Sequence, residues 1–240
     1  MPRVRVQGTD IEYRVLKTRR NRYIRLTVSG RNGVRVSAPW GVPERDLHAM
    51  VREKGAWILD RLRHFREIEQ QQPRWQWVDG AQVLVMGTWR TLRIISWEWN
   101  AGKVALEQGA LVIRVPFRFL REEKVLSDLF HRWLRSWAKD ELPRRLALLA
   151  ERMQLHPARV DIRAQRSKWG SCSAEGNINL NMNLLFAPPA VIDYVIIHEL
   201  AHLKELNHSS RFWQLVERYC PTRRDHQAWL RDHTWLLEMQ

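Results

Sequence analysis

Along residues 3–40, apolar and polar positions alternate, as in VRVQGTDIEYRVL and YIRLTVSGRNGVRVSAP. A period of two is that of half-buried strands, and Asn32-Gly33 predicts a hairpin turn between two of them. At Pro43-Glu44 the period changes. Leu47, Met50, Val51, Trp57, Ile58, Leu62 and Phe65 recur at helical spacing to about Glu69. The polar stretch Gln70-Gln71-Gln72-Pro73 breaks the pattern and predicts a boundary. Residues 1–72 then form a β-hairpin-plus-helix region, and residues 73–240 a second domain. Strand character returns over 76–116, where Gly80, Gly87, Asn100–Gly102 and Gly109 supply turns between runs such as VLVM and LVIRV. A long helix follows from Arg121 to about Gln154, and Pro143 is expected to kink or divide it. Residues 159–186 read as strands. A second long helix runs from Pro188-Pro189 to about Leu206, and shorter ones lie near 210–219 and 222–237. No internal repeat is visible. The class is α+β, with strands and helices partly segregated.

The second long helix contains the sharpest chemical signal, His198-Glu199-Leu200-Ala201-His202. Two histidines four apart on a helix lie about 40° apart in azimuth and about 6 Å apart along the axis. Both imidazoles can therefore reach one metal ion. Glu199 flanks the first and is placed to take a proton from a metal-activated water without ligating the metal. The preceding stretch, AVIDYVII, is almost wholly apolar, so this helix is buried on most sides. Polar groups in such a place need partners, and a metal is one.

One open position on zinc calls for a third protein ligand. His208 follows His202 by six residues, and in a continuous helix it would point away. The helix must therefore stop and the chain turn back. Asn207 is expected to adopt the left-handed conformation for that turn, and Ser209 and Ser210 to cap a helix starting near Arg211. The spacing HExxHxxxxxH equals that of metzincins, but Glu205 stands where those proteins carry glycine. Glu217, His226 and His233 are rival ligands. Asp193, Asp225 and Asp232 are candidates for orienting a ligand imidazole.

Upstream, Asn177, Asn179, Asn181 and Asn183 alternate with Ile178, Leu180, Met182 and Leu184, which puts four asparagines on one strand face. Ala174-Glu175-Gly176 predicts the turn of a hairpin whose other arm holds Trp169-Gly170-Ser171. That arm offers an edge for an extended peptide by strand addition. The asparagine face could equally meet only solvent. Arg166, Lys168 and Tyr194 are candidates for stabilising an oxyanion. Tyr194 lies one turn before His198 and shares its face.

Composition narrows the picture. The 13 tryptophans are scattered, which fits packing. The two cysteines, Cys172 and Cys220, make no disulfide framework and fit a reducing cytoplasm. The N-terminal residues show no secretory h-region, and no apolar run is long enough to span a membrane. The formal net charge is +14, which favours acidic partners such as nucleic acid, or solubility. Lys17 to Arg25, KTRRNRYIR, interleaves basic and aromatic residues in the manner of a nucleic-acid contact.

Several segments together resemble the YgjP-like zinc metallopeptidase family, related to SprT-like and WLM-type proteases. They are RSKWGSCS at 166–173, INLNMNLLFAPPAVIDYVIIHELAHLKELNHSSRFW at 178–213, WL at 229–230, and the N-terminal RRNRYIRLTVSGRNGVRVSAPWGV and VREKGAWI. The resemblance is strongest over 160–232. It implies a zincin-like (minigluzincin or SprT-like) catalytic domain over 73–240, with a small sheet packed on the HExxH helix. It also implies one zinc held by His198, His202 and His208, and Glu199 as the catalytic residue. A zinc-dependent peptidase acting on protein or peptide substrates is the expected function. Related SprT-like and WLM-type proteases act on DNA-bound proteins, which would suit so basic a chain. Two other functions use the same residues. A metal-dependent nucleotide pyrophosphohydrolase would attract its substrate by charge, although no glycine-rich phosphate loop is present. A nucleic-acid-associated protein with a structural metal would leave Glu199 without a task.

Overall fold

The computed structural model describes residues 1–19, 21–29, 33–71 and 75–239. Asn32 of the expected Asn32-Gly33 turn, and Gln72-Pro73 of the polar break, lie outside them. The chain forms two compact units, Met1–Pro73 and Arg74–Gln240.

In the first unit, β1 (Arg3–Val6) and β2 (Thr9–Thr18) form a hairpin, while β3 (Arg25–Ser29) and β4 (Gly33–Pro39) form another. β2 runs parallel to β4, so the sheet order is β1-β2-β4-β3. One face buries Ile11, Tyr13, Val34, Val36 and Ala38 against Leu47, Val51 and Ile58 of two helices. The single helical pattern over 44–69 is in fact two helices, α1 (Glu44–Glu53) and α2 (Gly55–Gln71). The break falls at Lys54, and Gly55, the first residue of α2, lets that helix approach the sheet, since a Cβ there would collide with the Val6 side chain.

The second unit repeats the arrangement. Its strands β5 (Gln82–Val85), β6 (Thr88–Ser96), β7 (Lys103–Glu107) and β8 (Ala110–Val115) follow the order β5-β6-β8-β7, with the same succession of antiparallel, parallel and antiparallel pairs. The sequence carries a matching trace in Val4-x-Val6-x-Gly8-Thr9 and Val83-x-Val85-x-Gly87-Thr88. The expectation of no repeat is thereby corrected. The echo is short because only the glycine at positive φ and the inward valines are dictated by the hairpin; φ is 80° at Gly8 and 72° at Gly87.

α3 (Glu123–Met153) runs unbroken through Pro143. Every fourth residue from Leu126 to Ala150 is buried, and this packing holds the helix together across the missing amide. A third sheet, of β9 (Arg159–Arg163), β10 (Gly170–Cys172) and β11 (Asn177–Asn181), has the order β10-β11-β9, so β10 is an edge. Gly176 turns the β10–β11 hairpin with φ 78°. Strand geometry ends at Asn181, and Met182–Phe186 form a 3-10 segment. α4 (Pro189–Ala201), α5 (Ser210–Tyr219), α6 (Arg223–Asp232) and a further 3-10 segment, Thr234–Glu238, complete the unit.

Four contacts hold α4 and the segment that leads into it. The Met86 and Gly87 amides donate to the Leu185 and Phe186 carbonyls at 2.7 and 2.9 Å. A side chain at Gly87 would meet the Pro188 Cα at 2.7 Å, so the β5–β6 turn sits directly on the helix entry. Arg145 of α3 donates to Asp193 of α4 at 2.9 Å and to Glu141 at 2.7 Å. Among the described residues no helix is long and apolar enough to cross a membrane.

Candidate metal centre

α4 is buried on nearly every side: Val191, Ile192, Tyr194, Val195, Ile196, Ile197, Leu200 and Ala201 all belong to the core. Glu199 is buried with them at 6% exposure. The helix ends at Ala201, one and a half turns earlier than the apolar pattern suggested. Successive turns follow, with the Leu203 amide on the Leu200 carbonyl and the Lys204 and Glu205 amides on that of Ala201. They reverse the chain without a left-handed Asn207, which is not among the positive-φ residues. Short turns bonded to the helix end replace the expected left-handed step. Ser209 caps α5 by accepting from the Phe212 amide at 3.3 Å.

The reversal returns His208 to the helix. Its Nε2 lies 3.0 Å from Nε2 of His198. One nitrogen from each of His198, His202 and His208 falls within 4.8 Å of the others, the one such trio of metal-capable groups among the described residues. Phe212 forms the floor, its ring centroid 4.9, 4.5 and 4.7 Å from those of His198, His202 and His208. His202 Nδ1 lies 3.1 Å from the Glu205 carbonyl, so it is the N–H donor and Nε2 keeps its lone pair. Burial, together with the neighbouring His202 and His208, pushes His198 down to about 3, and burial lowers His202 as well. These imidazoles are therefore neutral. Two ring nitrogens at 3.0 Å share either a proton, as an N–H···N hydrogen bond, or a cation. The donor set thus fits a metal cation that favours imidazole nitrogen.

Glu199 flanks the trio beneath β10. A Cβ on Gly170 would come within 2.7 Å of Glu199 Oε1. Burial pushes the Glu199 carboxyl up to about 8, with the Lys168 charge pulling the other way.

The rival ligands point elsewhere. Glu217 accepts from Arg223 at 2.8 Å, His226 lies 3.1 Å from the Thr222 hydroxyl, and His233 stacks on Trp229 with centroids 3.9 Å apart. Asp193 is held by Arg145. The carbonyl of Glu205, rather than a carboxylate, meets His202. Tyr194 is buried, with its ring 6.0 Å from that of His198. Desolvation pushes its hydroxyl up to about 12, against a hydrogen bond with Gln227, so it stays protonated. Arg166 and Lys168 are exposed. Trp169 packs on the core, and Gly170 and Ser171 lie on the β10 edge. Cys172 and Cys220 are free thiols, both raised chiefly by burial.

The asparagine row is not a solvated face. Asn181 and Asn183 are fully buried, and Asn183 lies in the 3-10 segment rather than on the strand. Asn181 Nδ2 donates to the Gln165 and Lys168 carbonyls at 2.6 and 2.8 Å, pinning the 165–168 loop. The Asn183 amide donates to Asn181 Oδ1, and Asn183 Nδ2 to the Leu236 and Met239 carbonyls at 2.7 and 3.1 Å. Other supporting side chains were invisible in the sequence. Trp213 stacks on His208 with centroids 5.3 Å apart and planes at 23°. Arg223 covers Trp213 at 4.3 Å, itself held by Glu217 and Gln227.

Three converging imidazoles beside a buried carboxyl group fit a metal centre. The chain belongs to the YgjP-like metallopeptidase domain family, which it matches over residues 22–233. No curated protein matches it. Among solved structures it is similar to the metallopeptidase zymogen abylysin of Pyrococcus abyssi, at 27% identity and a TM-score of 0.35, over 37% of this chain and 90% of that one.

Proposed function

We propose that residues 73–240 form a zincin-like domain that cleaves peptide bonds with one zinc held by His198, His202 and His208. The approach of two Nε2 atoms to 3.0 Å beside a buried carboxylate carries this reading. Bound there, zinc would supply a Lewis acid for the scissile carbonyl and would acidify the attacking water. The charge of a bound zinc would favour the ionised form of Glu199, whose carboxylate oxygen takes the proton from that water and hands it to the leaving amine. Its placement against Gly170 fixes the carboxylate, and its burial favours holding the proton between the two steps. β10 presents an unpaired edge beside Glu199, so Trp169-Gly170-Ser171 can hold an extended substrate by backbone hydrogen bonds. Arg166, Lys168 and the protonated Tyr194 hydroxyl are the donors available to a developing oxyanion. The two free thiols suit a reducing compartment such as the cytoplasm.

The test is metal analysis together with hydrolysis of an unfolded protein such as casein. Glu199→Gln should keep about one zinc and lose cleavage. His208→Ala should lose zinc, whereas Glu217→Ala and His226→Ala should keep it. Nucleotide hydrolysis without peptide cleavage by the wild type would overturn the peptidase reading.

A further inference from the structure

The outward face of the N-terminal sheet has a composition that stability alone does not explain. Its opposite face buries Tyr13, Val34, Val36 and Ala38 against α1 and α2. Period two therefore turns Arg14 and Leu16 of β2, Arg35 and Ser37 of β4, and Arg25 and Thr27 of β3 outward. The register places Arg14 directly beside Arg35, and Arg25 beside Ser37, which in turn neighbours Leu16. Like charges side by side across strands are unfavourable. No carboxylate is paired with them: among the described residues Arg14, Arg25 and Arg35 have no ion-pair partner, and of the two acidic residues on that face of β2, Glu12 is engaged by Arg3 and Asp10 lies at the far end of the strand, opposite Arg5. Residues 1–73 hold twice as many basic as acidic side chains.

Two aromatic rings stand at the same end of this sheet, where β2 and β4 finish and β3 begins. Tyr23 is 82% exposed and Trp40 is 68% exposed, while Leu16 beside them is 49% exposed. Neither ring has a ring partner among the described residues. Arg19 and Arg22 are exposed in the same loop region. Unpaired guanidinium groups with open aromatic faces match a chain of phosphates carrying unstacked bases. An acidic protein would use the charge and leave flat rings without a role, whereas an anionic membrane could also seat interfacial Tyr and Trp and is told apart by vesicle competition. A duplex would hide its base faces from them.

We propose that this face binds single-stranded nucleic acid, with phosphates on Arg14, Arg25 and Arg35 and bases stacked on Tyr23 and Trp40. The inference is independent of the metal centre and of what that centre cleaves.

Fluorescence anisotropy of the full chain with a short labelled oligothymidylate tests it, with a duplex of equal length and phosphatidylserine vesicles as competitors. The wild type should bind the single strand in preference to both. Arg14→Ser/Arg35→Ser should weaken binding about tenfold or more and reduce the salt slope by about 1.4, since each single-strand phosphate contact contributes about 0.7. Its thermal midpoint should be unchanged or raised, because a repulsion is removed. Tyr23→Ser/Trp40→Ser should weaken single-strand binding about tenfold while leaving the salt slope unchanged. Absence of binding by the wild type overturns the proposal. So does wild-type affinity in either double variant, or displacement of the oligonucleotide by vesicles or duplex at equal phosphate.

Discussion

Replacing Gly170 by alanine adds a single methyl group where β10 approaches Glu199. The new Cβ would lie 2.7 Å from Oε1, 2.8 Å from Cγ and 3.0 Å from Cδ of Glu199. An ordinary contact is about 3.5 Å, so the carboxylate must retreat by roughly 1 Å. It has little freedom to do so, being 6% exposed in a close-packed helix. The backbone does not object, since Gly170 is not among the positive-φ residues. The effect is thus steric and aimed at one side chain. Overpacking of this kind costs about 1–3 kcal/mol, and a reacting group misplaced by about 1 Å costs about a hundredfold in rate. Gly170→Ala should therefore cleave casein about a hundredfold more slowly while keeping about one zinc and losing only a few degrees of thermal midpoint. Metal content, calorimetry and initial rates on one preparation separate these effects. Wild-type activity would refute the claim that β10 fixes the carboxylate. Loss of zinc would show that the methyl group acts through the ligands instead.

Three further outcomes are expected. Trp213→Leu removes the ring stacked on His208 and should weaken zinc binding about tenfold in chelator competition, with Trp213→Phe recovering most of it. Asn183→Ala strands the buried Leu236 carbonyl and the half-buried Met239 carbonyl and should lower stability to urea by about 2 kcal/mol. His233 is lowered chiefly by burial, so the folded chain resists protonating it. The unfolded chain protonates it below about pH 6.5. The stability it contributes is complete above that value and falls as the pH drops toward its lowered folded value. His233→Gln should flatten that part of a thermal-midpoint profile against pH.

Some of this architecture could be read from local pattern. The HExxH helix, the β10–β11 hairpin and the return of His208 are set by spacing within a few residues, and local rules describe such segments well. Failures came where distant contacts decide. Asn183 continues the strand alternation, yet its donor is claimed by carbonyls more than fifty residues away, and the chain leaves strand geometry to reach them. Trp213 and Arg223 look like ordinary helix residues until α5 and α6 place them over His208. Of the two outcomes expected at Pro143, division does not occur, because packing along α3 keeps the helix continuous. The duplicated four-stranded sheet leaves a sequence trace of only two valines, a glycine and a threonine, while other positions follow different neighbours.

The three converging imidazoles all come from the short stretch between His198 and His208. Their donors are therefore already close together before the protein folds. A metal chelated by the native chain also finds purchase on the denatured one, and ligand linkage stabilises a fold only by the difference between the two affinities. The shift in thermal midpoint on adding zinc should then be smaller than the native dissociation constant implies. Conversely, the newly made chain can capture its ion before β10 is in place, so acquiring the metal need not wait for the rest of the domain to assemble.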